Sequence, residues 1–159
     1  MRHFVGHLQR NKVSKTRQVS PHSSGDSLRL LEAIHADVPA GHSQKVLLEI
    51  NISGDEAKHG FTPSEVKQCL PHLLALDRLE ICGLMGMAGL TANETQTREQ
   101  FQSLRILRDE LQTEIGSACQ LSELSMGMSD DFEQAILEGA TLIRIGSALF
   151  EGLLDGHSP

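Results

Sequence analysis

The feature that most constrains the fold of this chain is an alternation between short apolar runs and longer amphipathic segments. The apolar runs are short, bounded by polar or glycine residues and rich in Val, Ile and Leu, as buried strands are. The clearest predicted strands are residues 46–51, 79–85 and 142–145. Weaker candidates are residues 4–6, 17–20 and 121–126, and Pro21 interrupts the second of these.

The segments between these runs carry apolar residues at helical spacing. Thr62–Glu65 supplies an N-cap, a proline at the first helical position and a capping-box glutamate, so a helix is predicted after it. A longer helix is predicted after Gln96, with its apolar stripe running from residue 101 to residue 115. Asp26 and Ser129 are predicted to cap two further helices, as residue types that favour that position.

Strands that alternate with helices of this length predict right-handed βαβ units and a parallel sheet. We therefore expect an α/β chain with about six βα units in a single domain, residues 1–159. Periodicity alone leaves both a doubly wound sheet and a (β/α) barrel open. A complete eight-stranded barrel needs roughly 250 residues, more than this chain has.

Composition excludes several classes of protein. The residues are 39% apolar and 22% charged, which is typical of globular chains. No apolar run approaches the ~18 residues that cross a bilayer, so we expect no membrane partner. The formal net charge is −7 and no basic cluster is present, so we expect no nucleic-acid partner. Three scattered cysteines and an N-terminus without an apolar leader favour the cytoplasm, and no metal site is predicted.

Two strand-to-helix turns near the C-terminus carry the predicted chemistry. The first surrounds Ser129, and the second runs from Arg144 through Gly146 and Ser147. Such turns direct backbone N–H groups away from the carboxyl edge of a sheet, where α/β folds bind phosphate. Glycine permits close approach, serine supplies a hydroxyl, and arginine supplies a permanent charge. The acids at 130–131 are the alternative partners of Arg144, so these residues alone leave phosphate binding open.

Several motifs resemble those of the YggS/PROSC family of pyridoxal 5′-phosphate (PLP) homeostasis proteins. Most of the chain is covered, in the order of the family. The matching segments are HFVGHLQRNK from residue 3, NIS from 51, KHGF from 58, GLM from 83, LSMGMSDDFEQAI from 124 and GATLIRIGSALF from 139.

This resemblance implies the alanine racemase N-terminal fold, a (β/α)8 TIM barrel that holds PLP at the carboxyl ends of its strands. It also implies a phosphate-binding set carried onto matching positions of this chain. Those residues are Met128, Ser129, Arg144, Gly146 and Ser147. The expected function is PLP binding in intracellular PLP homeostasis, with no catalytic residue assigned.

Departures from the family shape three further expectations. The strand with the family's cofactor-linking lysine and the strand after it have no counterpart here, so we expect an incomplete barrel without its first two strands. Open strand edges then favour self-association. The covalent link is expected to be lost, with Lys58 as the nearest substitute. The alternatives are a racemase-like PLP enzyme, disfavoured because the chain has no Tyr, and a non-catalytic phosphate-binding fragment.

Overall fold

The computed structural model describes residues 22–55 and 58–146, in which four strands alternate with four helices. The strands form one parallel sheet in the order β1-β2-β3-β4. In chain order the elements are β1 His22–Gly25, α1 Leu28–Asp37, β2 Gln44–Ile50, α2 Pro63–Leu74, β3 Leu79–Gly86, α3 Glu94–Ile115, β4 Glu123–Ser125 and α4 Phe132–Leu137. The predicted alternation and the parallel sheet are confirmed for this part of the chain.

The helices share one apolar core on one face of the sheet. That core joins the outward side chains of β2, such as Val46 and Leu48, to all four helices, with Phe101 of α3 fully buried. The opposite face carries a separate cluster centred on Leu47 and Cys82, to which no described helix contributes. A doubly wound sheet has helices on both faces, whereas a barrel has them only outside. The described residues therefore favour the barrel type of packing.

Two capping boxes define where the longer helices begin. The Thr62 side chain accepts from the Glu65 amide while the Glu65 carboxylate accepts from the Thr62 amide, which confirms the predicted cap. Asn93 and Gln96 form the same reciprocal pair before α3. The helix predicted after Gln96 therefore begins slightly earlier, at Glu94.

The two smaller helices differ from prediction at their starts. Asp26 is not the cap of α1; Ser27 holds the N-cap position, and the Ser27 hydroxyl donates to the Asp26 carboxylate. Ser129 is not the cap of α4, because a turn at 129–131 places Asp131 there. In both cases neighbouring polar residues compete for the cap, and residue type alone does not decide between them.

One strand prediction is wrong, and two others lie outside the described residues. Residues 4–6 and 17–20 lie outside the described part of the chain, and the described β1 is His22–Gly25. Residues 142–145 form no regular strand: Leu142 makes an isolated bridge to Ser125, and beyond it a single backbone hydrogen bond joins the Arg144 amide to the Gly127 carbonyl. The apolar pattern of 142–145 misled the prediction because Ile143 is exposed rather than buried.

Candidate functional site

The candidate site lies at the carboxyl edge of the sheet. The four described strands are parallel, so their carboxyl ends meet at one edge, where α/β folds bind ligands. The loops that follow β2, β3 and β4 begin there. The two predicted turns contribute a first segment, residues 125–131, and a second segment, residues 141–146. We refer to these two segments together as the cradle.

The first segment is a tight turn built around a glycine. Gly127 has a φ of 92°, and a β-carbon at this position would lie 2.6 Å from the Ala135 β-carbon and 3.1 Å from the Phe132 α-carbon. Any other side chain would therefore be strained and crowded here. The Met128 amide donates to Asp131 Oδ1 at 2.6 Å, and the Asp131 amide returns a bond to the Met128 carbonyl at 3.3 Å.

The second segment runs directly against the first. The Arg144 amide donates to the Gly127 carbonyl at 2.9 Å, and the Gly146 amide donates to Ser129 Oγ at 3.3 Å. Residues seventeen positions apart in sequence are thus in hydrogen-bond contact. The structure brings Ser129, Arg144 and Gly146 together with the turn at Met128, while Ser147 lies outside the described residues.

The Arg144 side chain ties the ends of two strands together. Its Nη1 donates to the Ser125 carbonyl at 3.0 Å and to Ser125 Oγ at 2.8 Å, and its Nη2 donates to the Gly86 carbonyl at 3.2 Å. Burial lowers the pKa of the guanidinium from its usual value, and the nearby carboxylates of Asp131 and Glu49 oppose that shift. Arginine nevertheless stays protonated in proteins, so a fixed positive charge lies beneath the cradle.

The Arg144 Nε atom is buried and has no hydrogen-bond partner among the described residues. The Arg144 guanidinium donates its hydrogen bonds to neutral acceptors, and the acids at 130–131 are not among them. A buried N–H without an acceptor costs free energy, so it marks a place where a ligand or water is expected. A β-carbon added at Gly146 would meet no atom of the described residues within 4 Å, which leaves room for a ligand on this side.

Glu49, to which the sequence analysis assigned no role, lies near the end of β2 with only 6% of its surface exposed, and its charge acts on Arg144. A glutamate inside an apolar run was the available signal. Lys58, expected as the nearest substitute for the family's cofactor-linking lysine, is half-buried, and its Nζ donates to the Ala88 carbonyl at 2.8 Å. This bond connects the loops that follow β2 and β3.

The arrangement suits a small multivalent anion. Backbone amides at 128 and 146, a hydroxyl at Ser129 and a buried guanidinium form a compact set of donors around one edge of the sheet. Both amides now donate to side-chain oxygens of the cradle, and phosphate oxygens are the same kind of acceptor. The described residues contain no cluster of His, Cys, Asp and Glu able to hold a metal ion.

Comparison with known protein families gives a match over most of the chain. The family model of the alanine racemase N-terminal domain matches residues 4–153. A protein of Aquifex aeolicus named pyridoxal phosphate homeostasis protein is 42% identical over 151 residues, covering 93% of this chain and 65% of that one. The human protein of the same name is 38% identical over 157 residues and is covered over 57% of its length. This chain therefore spans less than two thirds of these relatives.

Solved structures show the same likeness. PipY of Synechococcus elongatus without PLP is 36% identical with a TM-score of 0.86, over 93% of this chain and 69% of that one. PipY with PLP bound is 34% identical with a TM-score of 0.83 and the same coverage. Alanine racemase of Clostridium difficile is 18% identical with a TM-score of 0.70, over 98% of this chain and 39% of that one, a likeness of fold alone.

Proposed function

Because the chain belongs to the family of the alanine racemase N-terminal domain, we propose that it binds PLP and serves in intracellular PLP homeostasis. Its relatives at 38–42% identity carry the name of that role, and PipY was solved with PLP bound. The observation that carries the proposal is the contact between Ser129 and Gly146 above the buried guanidinium of Arg144. Two separate segments converge there on one small polar site.

We assign the phosphate of PLP to the cradle. The Gly146 amide and the Ser129 hydroxyl are the direct donors, the Met128 amide is the third, and Ser147 adds a hydroxyl from outside the described residues. Arg144 contributes a positive charge from below, and its unpartnered Nε has the chemistry that an anionic ligand or its water would satisfy. When bound, PLP supplies a reactive aldehyde on an electron-withdrawing ring; these residues bind its phosphate and orient it.

The protein is proposed as a carrier of PLP rather than an enzyme. A covalent link needs a lysine amine that is free and unprotonated for part of the time. Each described lysine is already engaged: Lys45 pairs with Glu80, Lys67 pairs with Glu110, and Lys58 donates to a carbonyl. We therefore expect PLP to be bound without a stable covalent link to these residues.

We further propose a barrel architecture and self-association for this protein. Helices on one face of the described sheet support a barrel of the alanine racemase type, to which this chain contributes about six βα units. An exposed sheet edge would pair between copies, and light scattering should give a mass above the 17.4 kDa of one chain. A mass of one chain at all concentrations would contradict this pairing.

A cytoplasmic location is proposed as well. The three cysteines, all in the described part of the chain, are free thiols, as reducing compartments favour. No described helix is long and apolar enough to span a bilayer. Fractionation of cells that express the tagged full-length protein should recover it with cytoplasmic markers; recovery with exported proteins would contradict the location.

Competition calorimetry tests PLP binding by the cradle. PLP should bind, inorganic phosphate should compete with it, and pyridoxal without the phosphate should bind much more weakly. Ser129→Ala should weaken PLP binding, whereas the matched control Ser122→Ala, at the opposite end of β4, should not. A PLP affinity unchanged by phosphate, or by Ser129→Ala, would overturn the assignment of the cradle.

Borohydride reduction followed by peptide mass spectrometry tests the absence of a covalent link. The expected result is sparse labelling scattered over several lysines. Stoichiometric labelling at a single lysine, Lys58 above all, would overturn it, because the amine would then have to leave the Ala88 carbonyl and react.

A further inference from the structure

Helix α4 joins the two segments of the cradle, yet its own residues make few stabilising contacts. It has six residues, and Ala135 is its one buried residue. Isolated helices of this length are not stable in water, and one alanine buries little apolar surface. The helix also lacks a side-chain cap at its N-terminus. Other contacts must therefore fix its position on the rest of the molecule.

An ion cluster around one buried carboxylate, at the end of α4, supplies such a contact. The side chain of Glu138 is only 7% exposed. Arg98 donates to Glu138 Oε1 through Nε at 3.1 Å and through Nη2 at 2.8 Å. Arg105 lies with Nη2 3.5 Å from Oε2. Both arginines belong to α3, seven residues or about two turns apart, so they present their charges on the same side of the helix.

The backbone that follows Glu138 leads straight into the second segment of the cradle. The Glu138 amide donates to the carbonyls of Gln134 and Ala135, which closes the helix. Gly139 then turns with a φ of 89°, in contact range of the Arg105 side chain. Thr141 donates its amide to the Leu124 carbonyl and so begins the second segment. Only Gly139 and Ala140 lie between Glu138 and the first residue of the second segment, so the backbone that connects the ion cluster to the cradle is short.

We propose that Glu138 is a positioning residue of the cradle, acting through Arg98 and Arg105. The two arginines hold the carboxylate against α3, and the carboxylate sets where the second segment lies against the first. Removing its charge leaves two arginines without their shared partner and lets α4 shift, so the Gly146 amide loses its alignment with Ser129. This inference rests on the proposed function, because it gives Glu138 a role in binding the phosphate.

The test compares Glu138→Gln with Glu110→Gln in the full chain. Glu110 lies on α3, the helix that carries both arginines, and makes an exposed ion pair with Lys67 at 2.8 Å in which neither arginine takes part, so it is the matched control. Inorganic phosphate is titrated while backbone amide signals are followed by NMR. We expect about tenfold weaker phosphate binding in Glu138→Gln and no change in Glu110→Gln. Hydrogen exchange of the Arg144 amide should accelerate about tenfold in Glu138→Gln alone.

Two further measurements separate positioning from general stability. Pyridoxal, which lacks the phosphate, should bind Glu138→Gln as it binds the unaltered chain. The double variant Arg98→Gln with Glu138→Gln should bind phosphate no more weakly than either single variant, because residues that act as a unit are not additive. If Glu138→Gln does not fold, Arg98→Lys is measured instead; it keeps the charge but loses one of the two donors to Oε1, and about threefold weakening is expected.

A lower melting temperature with unchanged phosphate affinity and unchanged exchange at Arg144 would overturn the proposal. An unaltered chain that binds no phosphate would refute the proposed function instead. In that case the exchange of the Arg144 amide still decides whether Glu138 positions the second segment.

Discussion

The body of the sheet and the cradle are built by different physical means. Around β2, β3, α2 and α3, large apolar side chains such as Phe101, Leu84 and Leu104 are fully buried in a continuous core. The cradle meets that body at Ser125, which pairs with Met85 of β3, and at Met126, which is fully buried in the same core. Beyond these two residues, Leu142 makes an isolated bridge and the adjoining helix buries a single alanine, so hydrogen bonds, a buried guanidinium and one ion cluster hold most of the cradle.

This difference teaches where rigidity comes from in each region. Apolar burial is non-directional and contributes roughly in proportion to area, so the sheet body tolerates small errors in geometry. Hydrogen bonds and buried charges are directional, and a partner left unsatisfied is costly. A ligand site gains from that directionality because its donors must point at defined positions. The sheet body therefore supplies stability, while the cradle supplies geometry.

The largest expected effect comes from breaking the sheet body. Phe101→Ala removes a fully buried ring at the centre of the core and should lower the free energy of unfolding by about 3–5 kcal/mol. Urea unfolding measures this change. Leu90→Ala, at a side chain that is 91% exposed, serves as the control and should change stability little. A loss below about 1 kcal/mol for Phe101→Ala would mean that the core is not continuous.

The next effect should appear in binding more than in stability. Arg144→Ala removes the charge beneath the cradle and should weaken PLP binding by about 1.5–3 kcal/mol, the range for a hydrogen bond to a charged group. Calorimetry on the folded variant measures it. Phe101→Ala should behave in the opposite way, because the folded fraction of that variant should keep its PLP affinity. If Arg144→Ala binds PLP with unchanged affinity, the role of Arg144 is structural only, through its hydrogen bonds to Ser125 and Gly86.

A smaller effect should come from the capping box of α2. Thr62→Ala removes the side chain that accepts from the Glu65 amide and should cost about 1 kcal/mol of stability. The expected result is a lower urea midpoint with unchanged phosphate affinity, since α2 takes no part in the cradle. Thr95→Ala, an exposed threonine inside α3, is the matched control. Weaker phosphate binding in Thr62→Ala would show that the two regions are coupled.

The smallest effect concerns the Cys82 thiol, on the face of the sheet opposite the described helices. Burial and, next, the Glu80 carboxylate raise the pKa of Cys82 to about 11 from 9.0. The unfolded chain therefore releases this proton first as pH rises, so stability should fall between pH 9 and pH 11. Cys82→Ala should flatten that part of the pH profile. Rapid labelling of Cys82 by a thiol reagent at pH 8, where it should stay a thiol, would contradict the raised pKa.

Much of the sheet body was predictable because its signals are local. Periodicity identified the apolar stripes of α2 and α3, and Thr62 with Glu65 identified a helix start, since capping depends on neighbouring residues. The cradle was predictable only in part. Residue types identified Ser129, Arg144 and Gly146 as candidates that could meet at the carboxyl edge. The acceptors of the Arg144 guanidinium were not predictable, because Gly86 lies 58 positions away in sequence.

The sequence by itself determined the alternation of strands and helices and the parallel sheet, because local periodicity encodes them. The tertiary structure decided which neighbours the turns of the cradle meet. Glu138 reads as an ordinary acid at a helix end until α3 places Arg98 and Arg105 beside it. Likewise, an apolar pattern at 142–145 predicts a strand until the fold exposes Ile143. Burial and ion pairing between distant segments depend on the whole packed chain, so no local pattern encodes them.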